Sequence, residues 1–136
     1  MNPSAKHDAP LQVLVVDDDP AVRAMAEAIL RHAGMEVTTA ESGEAGLGAY
    51  CQRFFAGAPF SLVVMDLTLP GGMSGLETLA ALREVDPGVK VVASSGYFDD
   101  SAAAAAKRRG FHGILPKPYG AEQLVKLVQW SAGRAA

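Results

Sequence analysis

The chain has 136 residues, 49% of them hydrophobic and 20% charged, with a formal net charge of −3. That size and apolar content suit one globular domain with a single core, and the acidic balance offers no electrostatic footprint for nucleic acid. The lone Cys51 excludes an intrachain disulfide and points to a reducing compartment, and no apolar stretch is long enough to span a bilayer, so the sequence predicts a soluble, cytoplasmic protein.

Residues 1–10 are polar and Pro-containing, with no apolar core of a signal peptide, and read as a disordered lead. The domain is expected over 11–132, with 133–136 as a tail. Strand one covers Leu11 to Val16. Asp19-Pro20 then opens a helix, since Asp caps well and Pro fits the first turn; Val22, Met25, Ala26, Ile29, Leu30 and Ala33 recur at helical spacing up to Gly34. Met35 to Ala40 is a more polar, edge-type strand. Ser42-Gly43-Glu44 starts a second helix that runs to Phe54 or Phe55, and Gly57-Ala58-Pro59 breaks it. Strand three is Leu62 to Met65, followed by the Pro/Gly-dense loop Leu69 to Gly75 and a third helix from Leu76 to Val85. Strand four is read as Val89 to Ala93. A fourth helix, capped by Asp99 or Asp100, passes through Ala102 to Ala106 to Gly110. Strand five is Phe111 to Pro116, and a fifth helix spans Gly120 to Ala132 with Leu124, Val125, Leu127 and Val128 on its buried face.

Short apolar runs without polar alternation are strands buried on both faces, and strands alternating with helices make a parallel sheet joined by right-handed crossovers. The expected fold class is therefore α/β, a three-layer (βα)5 domain. In such sheets ligands bind beyond the carboxyl ends of the strands. The chemistry converges there: Asp17, Asp18 and Asp19 follow strand one, Asp66 follows strand three, Ser94 strand four and Lys117 strand five. Carboxylates crowded together call for a cation, and oxygen-only ligands without His or Cys favour a hard ion, Mg²⁺ over Ca²⁺. Asp19 is equally explained as a helix cap. Lys117 lies between Pro116 and Pro118, a stiff setting in which the Lys117–Pro118 bond is a candidate for cis, and its ammonium suits phosphoryl oxygens.

Val15-Val16-Asp17-Asp18-Asp19-Pro20, Val64-Met65-Asp66-Leu67-Thr68-Leu69-Pro70-Gly71, Ala93-Ser94-Ser95-Gly96-Tyr97 and Leu115-Pro116-Lys117-Pro118-Tyr119 resemble, in order and spacing, the receiver domains of two-component response regulators. The resemblance covers about Leu11 to Ala132. It implies a CheY-like fold with strand order 2-1-3-4-5 and transfer of a phosphoryl group from a kinase phosphohistidine, or from a histidine phosphotransfer domain, to Asp66. It also implies that Asp18, Asp66 and the carbonyl of Thr68 bind Mg²⁺, with Asp17 assisting through water, while Ser94 and Lys117 hold phosphoryl oxygens. The chemistry agrees: a carboxylate ionised at neutral pH needs no general base, and positive charge must neutralise the transferring group. Such a domain is not an enzyme beyond its own phosphorylation and dephosphorylation. No output domain is expected after the fifth helix, and the Ser-Ser-Gly-Tyr and Leu-Pro-Lys-Pro-Tyr wording resembles receivers attached to hybrid sensor kinases.

A haloacid-dehalogenase-type phosphatase is the competing enzyme reading, since Asp17 and Asp19 match its opening motif. However, Ala21 stands where that motif wants Thr or Val, Asp99-Asp100 precede the lysine instead of following it, and Asp66 is left without a task. An unphosphorylated receiver-like interaction module is disfavoured by the intact site, and a flavodoxin by an acidic loop that would repel phosphate. Cys51 reads as a packing residue, and His7, His32 and His112 are too dispersed for a metal site. Lys107-Arg108-Arg109 reads as the cationic end of a helix. Ile114 occupies the position where many receivers carry a switching aromatic ring. Together with the alanine-rich fourth helix, this predicts a chain that stays monomeric.

Overall fold

The structure, a computed structural model, describes residues 9–96 and 100–133. In chain order the elements are β1 (Gln12–Val16), α1 (Pro20–His32), β2 (Glu36–Ala40), α2 (Gly43–Phe55), β3 (Leu62–Asp66), α3 (Gly75–Val85), β4 (Val91–Ser95), α4 (Asp100–Arg108), β5 (Gly113–Pro116) and α5 (Ala121–Ser131). The strands form one parallel sheet in the order β2-β1-β3-β4-β5, as expected. The chain reverses its direction of winding at β1, so a crevice opens beyond the carboxyl ends of β1 and β3.

Alternate residues of each strand face opposite layers, and both layers are apolar. On one side Leu14, Val16, Val63, Met65, Val91 and Ala93 pack with Tyr50 of α2, Leu79 and Leu82 of α3 and Ala106 of α4. On the other, Val13, Val15, Leu62, Val64 and Val92 pack with Ala26 and Leu30 of α1 and with Leu124 and Val128 of α5. Side chains such as Leu30 and Leu82 are fully buried, and truncating either to alanine would cost about 2–5 kcal/mol.

Helix starts follow their caps. Asp19 accepts from the N–H groups of Ala21 and Val22 with Pro20 in the first turn, and Ser42 accepts from Ala45 N–H. Ser74 and Glu77 form a reciprocal capping box, which starts α3 at Gly75, one residue earlier than its apolar pattern suggested. The largest shift is in β4. The sequence reading placed it at Val89–Ala93, but Val89 N–H closes a turn onto the Asp86 carbonyl, and pairing with β3 runs from Val91 to Ser94. Met25, expected in the core, is 40% exposed, while Val125 and Leu127 are half-buried at the core's margin. Ala33 is exposed as well. The expected disordered lead falls largely on residues 1–8, the tail on 134–136 and one expected cap on Asp99; these lie outside the described residues.

Candidate functional site

The sheet brings the expected residues together. Asp17 leaves β1, its N–H donating to the Ala40 carbonyl of β2, and Asp66 is the last residue of β3. Their side chains are buried, with Asp17 at 2% and Asp66 at 1% exposure. Oxygens of Asp17, Asp18 and Asp66 lie within 4.8 Å of one another, with Asp18 the exposed member. Lys117, immediately after β5, bridges the two buried carboxylates: its Nζ is 2.7 Å from Asp17 Oδ2 and 3.2 Å from Asp66 Oδ2. The Lys117–Pro118 bond is cis, and Lys117 N–H donates to the Ser95 carbonyl, so both backbone and side chain of this residue are tied to the crevice.

Burial pushes the Asp17 carboxyl above its ordinary pKa, against the opposing pull of Lys117 and of the Asp19 N–H. For Lys117, burial works downward, but hydrogen bonding and attraction to Asp17 and Asp66 outweigh it and leave the ammonium above its usual value. Tyr119, buried beside this cluster, is pushed up by burial and then by the Asp17 charge. The pocket is thus an acidic group held by one ammonium. Its donor set is all oxygen, which fits a small hard divalent cation that keeps several waters.

Several contacts were not legible beforehand. Thr68, expected to offer its carbonyl to the metal, also donates from both N–H and Oγ1 to Asp66 Oδ1 at 2.9 Å each. These bonds orient the carboxylate, while Oδ2 faces Lys117. Arg23 of α1 donates to the Asp17 carbonyl at 2.7 Å. Glu44 of α2 reaches across to accept from Met73 N–H at 3.1 Å, latching the far end of the β3–α3 loop. The later end of β4 also changes the hydroxyl question. Ser94 stands in register with Asp66, but Ser95 is the strand's last residue, and both are buried. A strand boundary placed two residues early hid Ser95. Asp19, by contrast, turns away as a helix cap.

Beside the crevice, Val22, Met25, Gly96, Lys117, Pro118 and Tyr119 line an apolar cavity of about 470 Å³, which explains why Met25 is not in the core. Among the described residues no helix is long and apolar enough to cross a membrane.

The response regulator receiver domain family matches residues 13–129. The C4-dicarboxylate transport transcriptional regulatory protein DctD of Pseudomonas aeruginosa is 33% identical over 129 residues, covering 95% of this chain and 27% of DctD. The DNA-binding transcriptional regulator NtrC of Salmonella typhimurium is 33% identical over 117 residues, covering 86% of this chain and 24% of NtrC. The chain thus spans about a quarter of the length of these relatives, both transcriptional regulators. Among solved structures, the receiver domain of NtrX from Brucella abortus superposes with a TM-score of 0.80 at 31% identity, covering 90% of this chain and 99% of that one. With the acidic crevice, the sheet order and the family match in agreement, the chain belongs to the response regulator receiver domains of two-component signalling.

Proposed function

We propose that Asp66 is the phosphoacceptor, taking a phosphoryl group from the phosphohistidine of a sensor kinase or a histidine phosphotransfer domain. The carrying observation is the Asp17–Lys117–Asp66 bridge at the switch point of the sheet: a nucleophile held between an acidic cluster and a fixed ammonium. An Asp66 oxygen attacks phosphorus, the P–N bond to the donor imidazole breaks, and the imidazole leaves with that bond's electron pair. Asp17, Asp18, Asp66 and the Thr68 carbonyl would hold Mg²⁺, whose charge neutralises the equatorial phosphoryl oxygens. Lys117 shares that task, and Thr68 fixes the orientation of the Asp66 carboxylate. A β4 hydroxyl donates to another phosphoryl oxygen. Successive side chains point to opposite faces, so either Ser94 or Ser95 serves the crevice, not both. The apolar cavity beside Lys117 offers the donor protein a surface next to the reacting atoms.

In this reading the chain is no enzyme beyond its own phosphorylation and dephosphorylation, acts in the cytoplasm, binds no nucleic acid and remains a monomer when phosphorylated. Acetyl phosphate with Mg²⁺ should add one phosphoryl group, detected by mass spectrometry. Asp66→Asn, or omission of Mg²⁺, should remove it. Ser94→Ala and Ser95→Ala compared side by side should slow uptake unequally, and the slower variant names the donor. Label that survives Asp66→Asn but disappears in Asp17→Asn would overturn the proposal in favour of dehalogenase-type chemistry.

A further inference from the structure

The amino ends of β4 and β5, opposite the acidic crevice, carry a second charged surface that phosphoryl chemistry leaves unused. Arg83 lies in the last turn of α3, Lys90 precedes β4, Lys107 and Arg108 end α4, and Arg109 follows it. The Arg83 guanidinium lies over Gly110, where any side chain would collide with it. Arg83 and Arg109 line a small cavity of about 110 Å³ together with Leu76, Leu79 and Ala80. His112 belongs to the same surface. Burial, and after it the charges of Lys90 and Arg83, hold its imidazole below the usual histidine value, so near neutrality it contributes little charge of its own.

Elsewhere among the described residues Arg31 pairs with Glu27, Lys126 with Glu122, and Lys117 with Asp17 and Asp66, while Arg23 and Arg53 are satisfied by carbonyl and amide oxygens. Among the described residues no carboxylate lies within ion-pair reach of Arg83, Lys90, Lys107, Arg108 or Arg109. The neighbouring Asp86 is already taken up by the Tyr50 hydroxyl and the Gly88 N–H. Helix dipoles favour cations in a last turn, which accounts for Arg83, Lys107 and Arg108 but not for Lys90 and Arg109. In a chain of net charge −3, this concentration at one edge is a departure from the whole.

We propose that this edge docks an acidic, amphipathic segment of a partner protein, with one glutamate side chain entering the cavity between α3 and α4. The cavity has room for a single side chain. A glutamate matches its two kinds of wall, methylenes against Leu76, Leu79 and Ala80 and carboxylate toward Arg83 and Arg109. Arginine forks suit carboxylates because two parallel N–H groups can be donated at once. A nucleic acid suits the site less well. Its phosphates carry no apolar stem, and beyond the patch the acidic remainder of the chain repels an extended polyanion. The inference does not depend on phosphorylation of Asp66.

The test is fluorescence anisotropy of a labelled helical peptide rich in leucine and glutamate, titrated with the full chain. Binding should appear at low salt, weaken steeply at high salt, and vanish when the peptide's glutamates are replaced by glutamine. Arg83→Gln with Arg109→Gln should weaken it at least about tenfold, the scale of one lost charged hydrogen-bonded pair. Because Arg83 packs on Gly110, a second variant substitutes only the exposed Lys107, Arg108 and Arg109 with glutamine; it should also bind more weakly. Lys126→Gln should bind as the parent does, and acetyl phosphate labelling of Asp66 should be unchanged in all variants. No binding at low salt, parent-like binding by both multiple variants, or tighter binding of a duplex DNA of equal charge would overturn the proposal.

Discussion

The two edges of the sheet hold charge in opposite ways. At the carboxyl edge Asp17 and Asp66 are buried, and Lys117, its side chain only 18% exposed, bridges them. At the amino edge Lys107, Arg108 and Arg109 are exposed, Arg83 and Lys90 are half-buried, and none has an ion-pair partner among the described residues. The buried polar contact there is a neutral-to-charged hydrogen bond, Tyr50 Oη donating to Asp86 Oδ2 at 2.6 Å. Taking a charge out of water is costly unless it is neutralised in place. The carboxyl edge therefore stores a cost that a bound cation can relieve, whereas the amino edge stores less. One edge is built to react and the other to stay solvated.

The comparison is most easily broken at Lys117. Lys117→Met leaves two buried carboxylates facing each other, and urea unfolding should show a loss of about 3 kcal/mol. Added Mg²⁺ should recover part of that loss, while Lys107→Gln at the other edge should change stability by no more than about 0.5 kcal/mol. A Lys117→Met protein as stable as its parent without Mg²⁺ would mean that the carboxyl edge stores nothing.

Next in size is the response to Mg²⁺ itself. A ligand that binds only the folded chain, at a hundred times its Kd, adds about 2.7 kcal/mol. Calorimetry should show Mg²⁺ raising the Tm of the parent and raising that of Asp18→Ala by much less. Asp18 is the exposed carboxylate of the cluster, so its loss leaves the core intact.

The amino edge is sharpened by Tyr50→Phe, which should cost about 1 kcal/mol and leave phosphoryl uptake untouched. It should also change the alkaline limb of stability. Burial, then Asp86, raises the Tyr50 phenol above its ordinary value. A group raised by folding contributes fully below its unfolded pKa, about 10 for tyrosine, and loses that contribution as pH rises through the folded value. Stability of the parent should thus fall above about pH 10, and less steeply in Tyr50→Phe. Lys117, also raised, adds to the fall and remains in both proteins.

The smallest effect is expected at Glu44→Ala. Losing the latch on Met73 should cost about 0.5 kcal/mol and weaken Mg²⁺ binding slightly, because the loop that carries the Thr68 carbonyl is freed at its far end. Isothermal titration would register it, and unchanged Mg²⁺ affinity would detach the latch from the site.

Most of the architecture was written in the apolar runs. Val13–Val16 and Leu62–Met65 have no polar alternation because both faces of a central parallel strand are covered, and the same burial brings their terminal aspartates into one crevice. The boundary of β4 was harder, because Val89 is as apolar as Val91; a turn bond to Asp86, invisible in hydrophobicity, ends the loop later. That error obscured Ser95. Met25 fell on the helical repeat of the core, but a repeat gives a face and not its width, and the residue lies at the rim where α1 borders Lys117. Thr68 on Asp66 is a local bond two residues apart, of Asx-turn type, that a reading of apolar runs passes over, whereas Glu44 on Met73 spans 29 residues and is set by tertiary placement.

Gly75 has a bearing on how this site tolerates change. Its position is so close to the backbone of β3 that a Cβ there would stand 2.7 Å from the Asp66 carbonyl oxygen and 2.9 Å from Leu67 Cα. Helix α3 is thereby footed directly against the strand that ends in Asp66, and residues 67–74 arch between two fixed abutments. The crown of that arch contains Gly71 and Gly72, both at positive φ, with open space around Gly71. Lengthening the chain at the crown changes the curve and leaves both footings in place. A side chain at Gly75 moves a footing, and with it the spacing between Asp66 and the Thr68 carbonyl.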